Sequence, residues 1–342
     1  MVYYYDMKNM KVAFFEIENW EKDYLKKEFK DFTTSFFTDH LEPANAELAK
    51  ACDIISVFTV SQVNKDVLSK LPDLKLVTTR ATGFDNIDIE EAKKKNIMVC
   101  NVPTYGENTV AEHTFGLILN LSRKIYQSIQ SVKEKGFIPD GLMGFDLQGK
   151  TLGIVGTGHI GSRVARIANG FEMNILAYDI NQDKKLSKNL GFTYVSLDYL
   201  LQNSDIITLH VPYNKHTHHL INSENINLIK RGAYLINTSR GGIIETNSLI
   251  KALSEGILSG AGLDVMEGEH ELGEERELLV KKITEKIDFK TMLQNHILME
   301  QDNVIITPHN AFNSKEALER ILETTVENIH NFKKGKPINL VK

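Results

Sequence analysis

The sequence predicts an α/β protein of two doubly wound, Rossmann-like parallel sheets, with one domain inserted into the other. Three observations carry that expectation. The chain has 342 residues, and at roughly 150 residues per domain this suffices for two, each burying its own core. From residue 11 onward, short apolar runs alternate with longer amphipathic stretches, the pattern of βα units closing a parallel sheet. A glycine-rich turn, Gly156-Thr157-Gly158-His159-Ile160-Gly161, directly follows one apolar run and opens a helical pattern.

In the first part, strands are expected at residues 11–15, 53–58, 74–79 and 98–102, with helical segments such as 89–95 between them. At Asn101-Val102-Pro103 the proline ends a strand, and a single long helical pattern runs from about 109 to 135. Small and apolar residues at helical spacing over 111–121 give it one buried face, packed either on its own chain or on a second subunit. Six strands follow, at 151–156, 174–179, 205–211, 233–238, 260–264 and 304–307, which suits a dinucleotide-binding sheet. A final amphipathic helix over 314–334 would return the chain to the first domain. The expected division is therefore 1–101 plus 310–342 for a discontinuous first domain and 102–309 for the inserted one. The charged excursion 268–302 is expected to be a solvated helical embellishment.

Composition removes several classes of function. With 40 basic and 45 acidic side chains the formal charge is −5, and no dense Lys/Arg block suggests a nucleic-acid footprint. No stretch reaches the ~18 apolar residues of a membrane span, and residues 1–10 lack the basic-then-apolar order of a signal peptide. A soluble, cytoplasmic protein is expected, starting at Met7 or Met10 after a disordered leader. Cys52 and Cys100 sit among apolar neighbours and are expected to be buried, inert thiols of a reducing compartment. No metal is expected: His216, His218 and His219 form a loop cluster without an acid or cysteine at ligand spacing.

A GxGxxG alone is weak, but its placement strengthens it. It follows the apolar strand Leu152-Gly153-Ile154-Val155 and opens a helix containing Val164, Ala165, Ile167 and Ala168. Gly156 permits the tight turn, Gly158 lets backbone approach a pyrophosphate, and Gly161 lets helix and strand touch. The helix start, at His159 and Ile160, offers unpaired N–H groups and a positive dipole end. Eighteen residues after Gly161, Asp179 ends the next strand, where a carboxylate can accept ribose hydroxyls and repel a 2′-phosphate. NAD is favoured over NADP. A methyltransferase or another nucleoside-binding Rossmann protein is the alternative at this stage.

Arg240, Asp264 with Glu269, and His309 each come at or just beyond the carboxyl end of a strand in the same domain. A guanidinium there can grip a carboxylate with two parallel hydrogen bonds. Singly, such an arginine is more often a surface ion pair, the acids solvated charges and the histidine a turn residue. Their convergence on a domain that already holds a nucleotide motif favours chemistry.

The segments Arg-Ala-Thr-Gly-Phe-Asp-Asn-Ile-Asp (80–88), Asn-Val-Pro (101–103), Ala-Glu-His (111–113), Gly-Lys-Thr-Leu-Gly-Ile-Val-Gly-Thr-Gly (149–158), His-Val-Pro (210–212), Asn-Thr-Ser-Arg-Gly (237–241) and Pro-His (308–309) resemble the D-isomer-specific 2-hydroxyacid dehydrogenases over nearly the whole chain. Asp264-Val265-Met266-Glu267-Gly268-Glu269, the acidic excursion and Ala311-Phe312 are most similar to the fermentative D-lactate dehydrogenases, although members usually carry tyrosine where Met266 stands. Formate dehydrogenases of the superfamily are less similar, having glutamine as the histidine's partner.

The resemblance implies NADH-dependent reduction of pyruvate to D-lactate, with Arg240 clamping the carboxylate and carbonyl, His309 as acid/base and Glu269 as its partner. A carboxylate beside an imidazole favours the cation that must donate the proton. It further implies cofactor contacts at Val211, Pro212, Thr238 and Asp264, a substrate carboxylate held by the backbone of Thr82 and Gly83, and an aromatic wall from Tyr105 and Phe312. An interdomain cleft would close over both ligands. A homodimer is expected from the family and from the apolar face of the 109–135 helix. Glyoxylate or hydroxypyruvate reduction is the alternative within the family. From another class, an NADH-sensing corepressor-like scaffold keeps the same Arg, Glu and His set but would carry disordered flanks that are missing here.

Overall fold

The computed structural model describes residues 9–269 and 289–341. The leader before residue 9 and most of the charged excursion lie outside the described residues. The chain divides into two compact units, Met1–Tyr105 with Ser314–Lys342, and Gly106–Asn313.

The first unit runs β1 (Lys11–Phe14), α1 (Asn19–Glu28), β2 (Thr33–Phe36), β3 (Ile54–Val57), α2 (Lys65–Lys70), β4 (Leu76–Thr79), α3 (Ile89–Lys94) and β5 (Met98–Cys100). Its sheet is parallel throughout, in the order β2-β1-β3-β4-β5. Both faces are buried, as helices on each side of a parallel sheet require. Val12 and Phe14 share one cluster with Leu322, Val326, Ile329 and Phe332, whereas Ala13 packs with Ile55, Val57 and Val77 on the other face. Those four residues of the first cluster belong to the C-terminal helix Lys315–Lys333, whose Ser314 cap accepts Ala317 N–H at 3.2 Å. Edge strand β2, Thr-Thr-Ser-Phe, shows no readable strand pattern because three of its four residues are short and polar and none is fully buried.

A buried polar node fixes the loops at the carboxyl end of this sheet. Arg80 is 1% exposed. Its Nη2 donates to the carbonyls of Phe15 and Glu16 at 2.8 and 2.7 Å, and its Nη1 to Ser56 Oγ at 3.2 Å. Desolvation pulls its pKa down, against the pull of Glu21 and Glu16. Glu16, itself at φ +54°, accepts the backbone N–H groups of Phe58, Val60 and Ser61. Cys52 and Cys100 are both free and buried, and burial pushes the Cys100 thiol up to about 12.

The second unit opens with α4 (Glu107–Arg123) and α5 (Ile125–Lys135). The single helix expected here is therefore broken at Lys124, which adopts φ +50°. Its N–H caps α4 on Asn120 O, and the Asn120 side chain accepts the N–H of Tyr126 in the next helix. That local cap is absent from the apolar periodicity. Leu117, Ile118 and Leu121 of α4 lie in one cluster with Ile154, Ile236 and Ile305 of the sheet, so this face packs on its own unit. By contrast α5 buries none of its residues.

Then come β6 (Thr151–Val155), α6 (His159–Gly170), β7 (Asn174–Tyr178), α7 (Lys184–Leu190), β8 (Thr193–Tyr194), α8 (Leu197–Asn203), β9 (Ile206–Leu209), β10 (Ala233–Asn237), α9 (Thr246–Ser254), β11 (Leu258–Leu263), α10 (Phe289–Met299) and β12 (Val304–Ile306); the C-terminal helix of the first unit is α11. The sheet has seven strands rather than the expected six, ordered β12-β11-β10-β9-β6-β7-β8. The additional β8 is two residues long and at the edge, too short to show a period. Chain order reverses between β6 and β9, and at that switch point carboxyl-end loops diverge to leave a ligand crevice. Among the described residues, no helix is long and apolar enough to cross a membrane.

Candidate active site

Because β6, β7 and β9 to β12 are all parallel, their carboxyl ends line one edge of the second sheet. Six sequence segments thereby fall in spatial order: Asp179 after β7, the glycine turn after β6, His210-Val211-Pro212 after β9, Thr238-Ser239-Arg240 after β10, Asp264 after β11 and Thr307-Pro308-His309 after β12. From β7 to β12 is five strand spacings, roughly 24 Å at the usual ~4.8 Å per step.

At the β6 end the chain exposes backbone. Gly156 adopts φ +94°, and a Cβ there would meet His210 O at 2.7 Å. On Gly161 a Cβ would lie 1.9 Å from Gly156 O, whereas on Gly158 it would meet nothing within 4 Å. Two glycines are thus demanded by the protein itself, and the third faces open space. Gly158 caps α6 without a side-chain acceptor, which leaves the first N–H groups of that helix, with His159 and Ile160, as an anion cradle. Asp179 is fixed beside it: its Oδ2 accepts Thr157 N–H at 2.7 Å and Thr157 Oγ1 at 3.0 Å, and its Oδ1 accepts Asn181 N–H at 2.8 Å. Tyr194, on the unforeseen β8, holds the same Thr157 hydroxyl at 2.8 Å. These residues fit a dinucleotide. The glycines, His159, Ile160 and Asp179 were legible in the sequence; the contacts of Thr157 and Tyr194 that fix Asp179 were not.

At the β11 and β12 end the site is built from side chains. His309 Nδ1 lies 2.7 Å from Glu269 Oε1. An ionised carboxylate can only accept, so Nδ1 carries the proton and the ring is held with Nε2 turned the other way. Glu269 Oε2 accepts Met266 N–H at 3.1 Å. Phe312 sets its ring edge-on to His309, with centroids 6.5 Å apart. Arg240 lies in the loop between β10 and α9, half-buried, with Nη1 donating to Ser239 O at 2.8 Å and its carbonyl accepting from Asn237 Nδ2.

His309 stands at φ +49°, a left-handed conformation that a non-glycine residue adopts only when neighbours impose it. Asp264 imposes it. Its carboxylate is 1% exposed and accepts Asn310 N–H and Ala311 N–H, each at 2.8 Å, together with the Thr307 hydroxyl. Its carbonyl accepts His309 N–H at 2.8 Å. His113, from α4, completes the node with Nε2 3.1 Å from Thr307 Oγ1 and 3.5 Å from Asp264 Oδ1. Asp264 therefore sits beneath the histidine loop and holds it from below. Thr238 is buried beside α4, its hydroxyl 3.0 Å from that of Thr114. Val211 is partly exposed and Pro212 exposed, at the lip of the same edge.

Of the remaining predicted site residues, Thr82, Gly83 and Tyr105 belong to the first unit. Thr82 Oγ1 donates to Val102 O at 2.9 Å, and Asn101 Nδ2 donates to Thr82 O at 2.8 Å. Arg320 Nε donates to Tyr105 O at 2.8 Å. The histidine-rich loop corrects the sequence reading, because His219 does have an acid partner: its Nε2 is 2.7 Å from Glu267 Oε1. A separation of 48 positions along the chain hid the pair. Among the described residues no cluster of three or more His, Cys, Asp or Glu could hold a metal.

Residues 115–311 match the family model of the D-isomer-specific 2-hydroxyacid dehydrogenase NAD-binding domain. A 2-hydroxyacid dehydrogenase homolog of Zymomonas mobilis is 38% identical over 96% of this chain and 98% of its own. A glyoxylate reductase of Korarchaeum cryptofilum is 36% identical over 93% of this chain and 92% of its own. The crystal structure of a D-lactate dehydrogenase from Aquifex aeolicus, complexed with NAD and lactic acid, superposes with a TM-score of 0.86 at 40% identity, over 95% of this chain and 96% of that one.

Proposed function

The chain belongs to the family of NAD-dependent D-isomer-specific 2-hydroxyacid dehydrogenases, and from that premise we propose that it reduces pyruvate to D-lactate with NADH. The observation that carries the proposal is the His309–Glu269 pair, 2.7 Å apart, on the same sheet edge as the glycine turn and Arg240. Bound NADH supplies the hydride; the protein's residues do the rest. The Arg240 guanidinium grips the substrate carboxylate and polarises the carbonyl, where a positioned cation stabilises the growing negative charge. The proton goes from His309 Nε2 to the carbonyl oxygen as it becomes a hydroxyl. Glu269 holds the ring in the tautomer that leaves Nε2 for this task and balances the imidazolium charge. Oxidation of the hydroxy acid runs the same steps in reverse.

The backbone cradle of Gly156, Gly158, His159, Ile160 and Gly161, with Asp179, is assigned to the cofactor, and Val211, Pro212 and Thr238 to its flank. Asp264 is assigned to the cofactor's reactive end, through the loop it holds. Thr82, Gly83 and Tyr105 of the first unit and Phe312 of the second are assigned to the substrate. We further propose a homodimer: Ile125, Ile129 and Val132 of α5 are each about half exposed, and Phe137 just beyond it is 96% exposed, an apolar stripe of the kind an interface covers. A cytoplasmic location suits two buried free thiols.

A steady-state screen tests the proposal, following NADH loss with pyruvate, glyoxylate, hydroxypyruvate, 2-ketobutyrate and phenylpyruvate, and with NADPH as the control. Pyruvate with NADH should give the highest kcat/KM. Preference for glyoxylate would replace the substrate with that of the glyoxylate reductase relatives. No turnover alongside intact NADH binding would favour a binding scaffold.

A further inference from the structure

His219 lies outside the reacting groups yet touches both segments that carry them. Its ring Nε2 is 2.7 Å from Glu267 Oε1, two residues before Glu269. Its backbone N–H donates to Gly242 O at 2.8 Å, two residues after Arg240. Glu267 is in turn tied to two helices: its Oε2 accepts the Thr246 hydroxyl of α9 at 2.8 Å, and its carbonyl accepts Asn295 Nδ2 of α10 at 2.8 Å. There is little slack between the segments. A Cβ on Gly241 would lie 2.0–2.2 Å from the backbone of Met266 and Glu267, and one on Gly242 2.9 Å from the Tyr213 ring.

The surroundings of His219 are equally defined. The His218 ring stacks on it at 3.8 Å between centroids, and Tyr213 Oη is 3.0 Å from His218 Nδ1. Glu245 is held below the usual carboxylate range chiefly by the Ser248 hydroxyl, with His219 adding to the effect. Both members of the pair are partly exposed, 31% for His219 and 25% for Glu267, so their attraction adds little to global stability. What the pair adds is geometry.

We propose that His219 and Glu267 form a positioning pair, which sets the spacing between the Arg240 segment and the Glu269 segment and so holds Glu269 on His309. The inference rests on the assignment of Arg240, Glu269 and His309 as the reacting groups. The donor at Nε2 is required whether the ring is neutral or charged, so glutamine, whose amide nitrogen reaches a similar point, preserves the link, and leucine fills the volume without it. Misplacement by about 1 Å can cost a reaction roughly 100-fold.

The test compares His219→Leu, His219→Gln and Glu267→Met with the wild type by two readouts: kcat and KM with the preferred 2-keto acid and NADH, and the proton NMR resonance of the His309 Nδ1–H hydrogen-bonded to Glu269. His219→Leu should lower kcat about 10- to 100-fold, leave KM for NADH unchanged, and shift or broaden the Nδ1 proton. His219→Gln should restore both to within about threefold of the wild type, or to its line position. Should His219→Leu not fold, Glu267→Met, which removes the acceptor, should lower kcat and shift the Nδ1 proton in the same way; wild-type values of both would overturn the proposal. A leucine variant that only melts earlier, with kcat and the Nδ1 resonance at wild-type values, overturns the proposal. If the wild type turns over no 2-keto acid, the assigned function fails, but the resonance of His219→Leu against His219→Gln still decides whether the pair positions Glu269.

Discussion

The two ends of the second sheet's carboxyl edge solve different problems with different materials. After β6 the chain presents backbone: glycines at 156 and 161 are forced by contacts with His210 O and Gly156 O, and Gly158 faces open space. After β11 and β12 it presents side chains, with a histidine held at φ +49° by a carboxylate buried beneath it. A phosphate is bound well by N–H groups that need only be uncovered. A proton must leave from one atom at one place, and that demands side chains locked by other side chains. The glycine turn is therefore built locally in sequence, and the His309 node is assembled across long range.

The contrast is broken most forcefully at the side-chain end. His309→Ala should lower kcat about 1000-fold while leaving the NADH dissociation constant within twofold; stopped-flow turnover and fluorescence titration read the two separately. Equal losses in both would merge the two ends into one site.

At the backbone end, Gly161→Ala forces a methyl into the Gly156 carbonyl 1.9 Å away. NADH affinity should weaken roughly 30-fold, about 2 kcal/mol of overpacking, with a lower melting temperature. Gly158→Ala sharpens the point, since its methyl meets no protein atom within 4 Å. It should weaken NADH binding with the melting temperature unchanged. A destabilised Gly158→Ala would show that this glycine serves the fold rather than the ligand.

Asp264→Asn tests the support under His309. It keeps the volume but weakens the acceptor for Asn310 and Ala311, and should lower kcat about tenfold, the scale of losing one charge-assisted hydrogen bond. An unchanged kcat would mean that the His309 loop holds its conformation unaided.

Much of the nucleotide half was legible in the sequence because physics there restricts residue type. Only glycine fits at Gly156 and Gly161, and an acid after β7 sits at a fixed distance along the chain from the turn. Arg240, Glu269 and His309 could be singled out by their places after strands, but the bonds that hold them could not. Thr307, Asn310 and Ala311 meet Asp264 across more than forty residues, and His113 reaches Thr307 across 194. The His219–Glu267 pair was hidden in the same way. Edge strands β2 and β8 were missed because a short, half-exposed strand has no period to read, and the break at Lys124 because a cap is a matter of two hydrogen bonds.

A further expected effect, on stability rather than turnover, lies between the two ends, at His210. Burial pushes its imidazole down to about 3, and its Nδ1 is sealed without a hydrogen-bond partner among the described residues. The unfolded chain binds this proton near 6.5 and the folded chain only near 3, so the unfolded state gains protons as pH falls through that window. Stability present above pH 6.5 should therefore be lost progressively down to about 3. His210→Gln should flatten that part of the melting-temperature profile; an identical slope in both proteins would remove His210 from the account.

The most direct measurement follows deuterium from the hydride-donating position of NADH. Wild-type protein with pyruvate should yield D-lactate labelled at C2, and His309→Ala should yield almost none while binding NADH as tightly. Labelled L-lactate, unlabelled product, or full transfer by the alanine variant would contradict the division between a backbone that binds and a histidine that delivers the proton.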